Sequence, residues 1–178
     1  MLLRPALPAD AAAMASIYSH YILTTTMSFE EAAVDADAMA QRMTAVHQAG
    51  LPWLVAETQG MVVGYACATP WRARRAYRSS VETSIYLRAG MHARGTGSAL
   101  YAALLAQLRR GGYHLAIGGI AQPNAASVAL HEKLGFEQVA LFKEVGYKFG
   151  RWIDVGYWQL ILPAGESAHG LAEPRAPT

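Results

Sequence analysis

Three clusters of residues in this 178-residue chain have types and spacings that suit chemistry. The run His92-Ala93-Arg94-Gly95-Thr96-Gly97-Ser98 joins a β-rich stretch to an amphipathic one. Glycines at such a junction let backbone N–H groups approach an anion, and a helix N-terminus adds positive potential. A phosphate or pyrophosphate is the natural guest, with a plain tight turn as the alternative. No Gly-Lys-Ser/Thr follows, so a nucleotide triphosphatase loop is excluded, and a dinucleotide fingerprint is poor because the third glycine is missing. Glu82 lies inside a β-rich run, where partial desolvation favours the neutral acid and raises its pKa towards values useful in a base. A glutamate turned to solvent or paired with an arginine is the other reading. Arg72 and Arg74 offer guanidinium forks that match a carboxylate or a phosphinate. Members of the cluster Arg72, Arg74, Arg75 and Arg78 are equally read as solvated, or as reaching a phosphate.

Other chemistries are excluded more simply. His20, His47, His92, His114, His131 and His169 show no ligand spacing, so no catalytic metal is expected. The single cysteine, Cys67, sits in the apolar run Val62 to Ala68 and is expected to pack rather than react; one cysteine and no internal disulfide fit a reducing cytoplasm. Fifteen Lys plus Arg against 13 Asp plus Glu leave a formal charge of +2, too little for affinity built on many phosphate contacts, so nucleic acid is not expected as a partner. No stretch reaches the roughly 18 to 20 apolar residues of a membrane span, and Pro5, Pro8 and Asp10 interrupt any secretory core, so neither a membrane nor a signal peptide is expected.

The elements that must position these groups follow from periodicity. Leu2 to Arg4 predicts a short strand; Asp10 predicts an N-cap for a helix carrying Ala13, Ile17 and Tyr21. Asp35 or Asp37 caps a second helix with Met39, Met43 and Val46 on its apolar face, ended by Gly50 and Pro52. Trp53 to Glu57 and Met61 to Thr69, separated by Thr58-Gln59-Gly60, predict an antiparallel hairpin. Val81 to Leu87 is the fourth strand, with Glu82, Ser84 and Tyr86 on one face and Val81, Thr83, Ile85 and Leu87 on the other. Leu100, Leu104 and Leu108 mark a helix stopped by Gly111 and Gly112; Tyr113 to Ile120 is a strand; Ala125 to Leu134 is a helix capped by Gly135. Two last strands, Glu137 to Val145 and Val155 to Leu162, bracket the segment Gly146 to Asp154. The expected fold is α+β, a single twisted, mostly antiparallel sheet of about seven strands flanked by helices. Residues 1–162 form one domain by length, and 163–178, rich in Pro, Gly and Ala, read as a loose tail.

Two motifs carry a family resemblance. His92 to Gly97 resembles the acyl-CoA pyrophosphate loop Q/R-x-x-G-x-G/A of the GNAT acetyltransferase superfamily, with His92 departing at the first position. Asn124 to Phe136 resembles the Asn, small residue, helix and Gly-Phe pattern that follows the fifth strand there. Within that superfamily, Trp71-Arg72-Ala73-Arg74, Val81 to Tyr86 and Gly146 to Gly156 are similar to the phosphinothricin and methionine sulfoximine or sulfone acetyltransferases.

The resemblance implies an N-acetyltransferase that moves acetyl from acetyl-CoA to the α-amine of a small amino-acid analogue, in a cytoplasmic homodimer. Another amine acceptor (a polyamine, an aminoglycoside, a protein N-terminus) or a non-catalytic acyl-CoA-binding protein are the alternatives. It implies Glu82 as base and His131 as proton donor to the leaving sulfur, where a helix histidine held only by packing is the competing reading. Arg72, Ala73, Arg74, Glu82, Thr83, Ser84 and Phe29 fall on the substrate side, with Glu30 beside Phe29. Ile85, Tyr86, Leu87, Ala93, Arg94, Gly95, Thr96, Gly97, Ser98 and Asn124 fall on the acetyl-CoA side, where Asn124 reaches the pantetheine amide or only caps its helix.

Overall fold

The structure, a computed structural model, describes residues 1–91 and 95–163. Of the expected tail only Pro163 is among them, and His92, Ala93 and Arg94 of the glycine turn lie outside the described residues. In chain order the elements are β1 (Leu2–Pro5), α1 (Ala11–Thr24), α2 (Ala36–Gln48), β2 (Trp53–Thr58), β3 (Met61–Pro70), β4 (Ser80–Leu87), α3 (Thr96–Arg110), β5 (Leu115–Ala121), α4 (Ala125–Lys133), β6 (Glu137–Lys148) and β7 (Arg151–Ile161). They build one seven-stranded sheet in the order β1-β2-β3-β4-β5-β7-β6, antiparallel at every step except β4 to β5. This is the mostly antiparallel sheet with flanking helices that the residue patterns predict.

Local chemistry explains the elements around the site. Asp35 caps α2 by accepting the Ala38 N–H at 2.8 Å, and Met39, Met43 and Val46 turn inward from it. The β2–β3 turn places Gln59 and Gly60 at φ of 51° and 74°, the positive-φ pair that matches strand twist in a tight hairpin. On α3 the stripe Leu100, Leu104, Leu108 is fully buried against the sheet. Side-chain alternation then divides the sheet. Tyr86 of β4 packs on Tyr18 and Tyr21 of α1, while Thr83 bonds Tyr101 of α3, so α1 and α2 cover the face of Glu82 and α3 covers the other.

Two expectations need correction. Asp10 does precede α1, but its carboxylate turns back to accept the Leu7 N–H at 2.7 Å and to fork with Arg4 at 2.7 and 2.9 Å, so the Arg4 charge draws it away from the helix end. The segment Gly146 to Asp154 does not separate two strands. It belongs to them, with Gly146 opposite Ile153, Tyr147 opposite Trp152 and Lys148 opposite Arg151 around a turn at Phe149 and Gly150. The usual polarity pattern is inverted there: Tyr147 and Trp152 are exposed while Lys148 is buried, which hides the strand from a reading based on apolar residues facing inward.

Candidate active site

The parallel ladder between β4 and β5 is short. It pairs Ser80 with Leu115, Val81 with Ala116 and Glu82 with Ile117, and then ends. Beyond Glu82 the two strands part, and β4 continues to Leu87 beside a gap for roughly 13 Å. A cavity of about 440 Å³ occupies the gap, walled by Thr83 to Leu87 on one side and Gly119 to Ala121 on the other. Its far end is the start of α3, where Gly95 takes φ +77° and the first-turn N–H groups have no carbonyl four residues back within the helix. Tyr21 reaches across from α1 and donates to the Leu87 carbonyl at 2.6 Å, fixing the end of the split strand.

Glu82 stands at the apex of this wedge, on the last paired step, half-buried between Thr69 of β3 and Ile117 of β5. Burial pushes its carboxyl above the usual carboxylate range, and the Arg72 charge pulls it partly back. Room for the carboxylate comes from Gly119: a Cβ there would sit 3.4 Å from Glu82 Oε1 and 3.3 Å from the Tyr157 ring. Arg72 lies over the Trp71 ring at 4.7 Å, and Trp71 meets Tyr157 edge-on at 5.8 Å, so a guanidinium and two aromatic rings stand beside the acid.

His131 is 4% exposed on the other face of the sheet, yet its side of α4 lines the same wedge. Its Nδ1 lies 2.8 Å from the Ser127 carbonyl and its Nε2 2.9 Å from the Tyr101 hydroxyl. Tyr101 is in turn 2.6 Å from Thr83 Oγ1, which lies 3.0 Å from the Ile117 carbonyl. With the imidazole neutral, Thr83, Tyr101 and His131 bring three protons to these four contacts. A second proton on the ring completes the set by turning the Tyr101 hydroxyl from His131 Nε2 to Thr83 Oγ1, with no heavy atom moving. Burial acts against that charge and lowers the His131 pKa, while the Ser127 carbonyl supports it. The chain of groups therefore holds a proton site that is wired into β4 but costly to charge.

Of the residues singled out from the sequence, the wedge gathers Thr83, Ser84, Ile85, Tyr86, Leu87, Gly95, Gly97, Ser98, Asn124 and His131. Thr96 is buried beneath it. Asn124 Oδ1 caps α4 by accepting the Ser127 N–H at 3.1 Å. Ala73 and Arg74 are exposed on the loop before β4. Phe29 is 42% exposed on the α1–α2 loop with its ring against Gly146, and Glu30 is held by Arg42 at 2.7 and 2.9 Å and by the Tyr18 hydroxyl at 2.8 Å. Cys67 is buried and its thiol is pushed up to about 12. Among the described residues no group of His, Cys, Asp and Glu is placed to hold a metal, and no helix is long and apolar enough to cross a membrane. Tyr101 escaped the sequence reading, although a tyrosine inside a leucine-rich helix face is a signal, because a buried hydroxyl has to find a partner.

The model of the acetyltransferase (GNAT) domain matches residues 3–156. The phosphinothricin N-acetyltransferase of Alcaligenes faecalis is 42% identical over 89% of this chain and 81% of its own length. The L-methionine sulfoximine/L-methionine sulfone acetyltransferase of Salmonella typhimurium is 40% identical over 91% of this chain and 95% of its own. The crystal structure of a GNAT superfamily phosphinothricin acetyltransferase from Sinorhizobium meliloti in complex with acetyl-CoA superposes with a TM-score of 0.89 at 37% identity, covering 93% of this chain and 90% of that one. A family model spanning most of the sequence, with relatives near 40% identity along the same length, shows that the chain belongs to the GNAT acetyltransferase family.

Proposed function

We propose that this protein transfers acetyl from acetyl-CoA to the α-amine of a small amino acid whose side chain ends in an oxygenated sulfur or phosphorus centre, as in methionine sulfone, methionine sulfoximine or phosphinothricin. The observation that carries the reading is Glu82, a half-buried carboxylate with a raised pKa at the apex of a wedge whose wall is unpaired strand backbone. The donor fits that wedge: the N-terminal N–H groups of α3 suit its pyrophosphate, the free edge of β4 suits the amides of its pantetheine arm, and Asn124 retains an amide N–H beyond its cap. Acetyl-CoA supplies a thioester, an activated acyl group with a thiolate leaving group.

The chain's own groups then have distinct tasks. Glu82 removes a proton from the incoming ammonium, directly or through water; an α-amine has an ordinary pKa of about 7.7 to 8.0, so a base of moderate strength suffices. Backbone N–H groups near Tyr86 and Leu87 hold the carbonyl oxygen as charge develops on it. His131 in its doubly protonated form is the proton source for the leaving sulfur and returns to the neutral ring as it gives the proton up; Tyr101 and Thr83 hold the ring in place. Arg72 and Arg74 anchor the acceptor's carboxylate, with Ala73, Ser84 and Phe29 around it, and Arg94 with Ala93 completes the phosphate loop. Residues 1–162 form the catalytic domain and 163–178 a tail. We assign the protein to the cytoplasm as a homodimer; the exposed rings of Tyr147, Phe149 and Trp152 support a second copy on the β6–β7 hairpin.

A thiol-release assay with acetyl-CoA over a panel of amino acids tests the reading. Methionine sulfone, methionine sulfoximine or phosphinothricin should be acetylated, and the decarboxylated amine of the same side chain should be poor. Equal kcat/KM for an amino acid and its decarboxylated analogue rejects carboxylate recognition and favours a polyamine or protein amine.

A further inference from the structure

A second cavity, of about 510 Å³, lies between α2 and the sheet on the face that carries Glu82. Met39 and Val46 of α2 and Tyr65 and Cys67 of β3 make it largely apolar. It opens towards the wedge, because Ser84 and Tyr86 line both spaces. Thr69, at its near end, is the cross-strand partner of Glu82.

Trp53 lines this cavity from β2. It is 5% exposed, its ring stacks on Tyr65 at 5.6 Å, and its Nε1 is a buried donor with no hydrogen-bond partner among the described residues. Buried indole N–H groups ordinarily find an acceptor. Arg42, the cation at the rim, is already engaged by Glu30. The cavity thus offers largely apolar walls, the rotatable hydroxyls of Tyr65, Thr69 and Ser84, and a buried indole N–H whose direction the stacked ring fixes, a combination that suits an uncharged or delocalised oxygen on a short apolar stem.

The distances agree with an acceptor that starts at Glu82. Trp53, Cys67 and Ser84 stand in one row across three strands, and Glu82 is two residues along β4. Strand spacing and rise put the Trp53 and Glu82 backbones roughly 12 Å apart. Both side chains rise from the same face, so a gap of about that size separates carboxylate and indole, and a five-bond path from an α-amine to a side-chain oxygen, roughly 6 Å when extended, spans it with a hydrogen bond of about 3 Å at each end.

We infer that this cavity receives the acceptor's side chain and that Trp53 Nε1 donates a hydrogen bond to its terminal oxygen, which makes Trp53 the residue that selects oxygenated side chains. The inference rests on the function proposed above. The test is Trp53→Phe, which keeps an aromatic ring and removes the N–H. Steady-state kinetics are compared on methionine sulfone and on methionine, which has the same stem without the oxygens. The variant should lose fivefold or more in kcat/KM on the sulfone, change less than twofold on methionine, and keep its KM for acetyl-CoA. A second variant, Ala45→Leu, narrows the mouth of the cavity from the exposed side of α2 and should raise KM for the sulfone at least fivefold at unchanged melting temperature; it decides the matter if Trp53→Phe does not fold. Equal effects of Trp53→Phe on both substrates, or an unchanged sulfone KM in Ala45→Leu, overturn the assignment while leaving the proposed function standing. Wild-type protein that acetylates no amino acid overturns both.

Discussion

Lys148→Met tests how the α1–α2 loop is held. Lys148 is 3% exposed, and its ammonium donates to both the Ile22 and the Ser28 carbonyls at 2.6 Å, tying the end of α1 and the following loop to the β6–β7 hairpin. Burial lowers its pKa, and Glu31 and Glu30 counter that. Methionine keeps the apolar stem but leaves two carbonyls without a donor, at about 1 to 3 kcal/mol each, offset in part because a charge is no longer buried. A net loss of about 2 to 3 kcal/mol is expected, a large share of the roughly 5 to 15 kcal/mol that holds an ordinary domain. Urea unfolding followed by far-UV circular dichroism should show the midpoint falling by about 1 M, taking a slope of about 2 to 3 kcal/mol per molar. Proteolysis of the folded variant should open new cuts between Thr25 and Asp35, since Phe29 and Ser28 lose their tie to the hairpin. A midpoint within about 0.2 M of the wild type, with no new cuts, refutes the reasoning.

Other substitutions address the site itself. Glu82→Gln should lower kcat by about 10² to 10⁴ at pH 7, with partial recovery at high pH where the amine loses its proton unaided. The same change should raise the melting temperature at pH 8 but not at pH 4. The folded-state pKa of Glu82 is raised, so the acid contributes stability below its unfolded pKa and loses it as pH rises through the folded value, whereas glutamine does not titrate. Gly97→Val should fold, because a Cβ there meets Leu87 at 3.4 Å and Leu130 at 3.6 Å, but its methyls enter the wedge; the acetyl-CoA KM should rise about tenfold or more in steady-state assays. Arg72→Ala should raise the amino-acid KM about tenfold, from a lost charge-assisted bond of roughly 1.5 to 3 kcal/mol, with the acetyl-CoA KM unchanged in the same assays.

Features that depend on short-range pattern were legible in the residues. The β2–β3 hairpin, the cap at Asp35, the leucine stripe of α3 and the placement of Glu82 on the face opposite Thr83 all follow from two- or four-residue periods and turn chemistry. What was not legible depends on contacts between distant segments. The point at which β4 leaves β5 is set by how the two strands twist apart, which no residue in either strand announces. The partners of His131 come from β4, α3 and its own helix, and the open donor on Trp53 exists only because no acceptor happens to reach it. The hairpin at Gly146 to Asp154 hides from the pattern because one of its two buried residues, beside Ile153, is a lysine, satisfied by carbonyls some 120 residues away in sequence.

The outer edge of the sheet limits how any second chain could pair with this protein. Shifts in register at Gln138/Ala140 and at Phe142/Gly146 cut β6 into regular runs of no more than three residues, and Glu144, at φ 52°, turns its N–H inward to Asp154. An ordinary strand of five or six residues finds no continuous line of donors and acceptors to copy. Growth of an endless ribbon by strand addition is therefore blocked along this edge, even though its side chains are rich in exposed rings. Contact here has to run through those side chains, such as the edge-on pair Tyr147 and Trp152 at 4.9 Å, and not through backbone. An interface made of side chains alone can be altered one residue at a time without disturbing the sheet beneath.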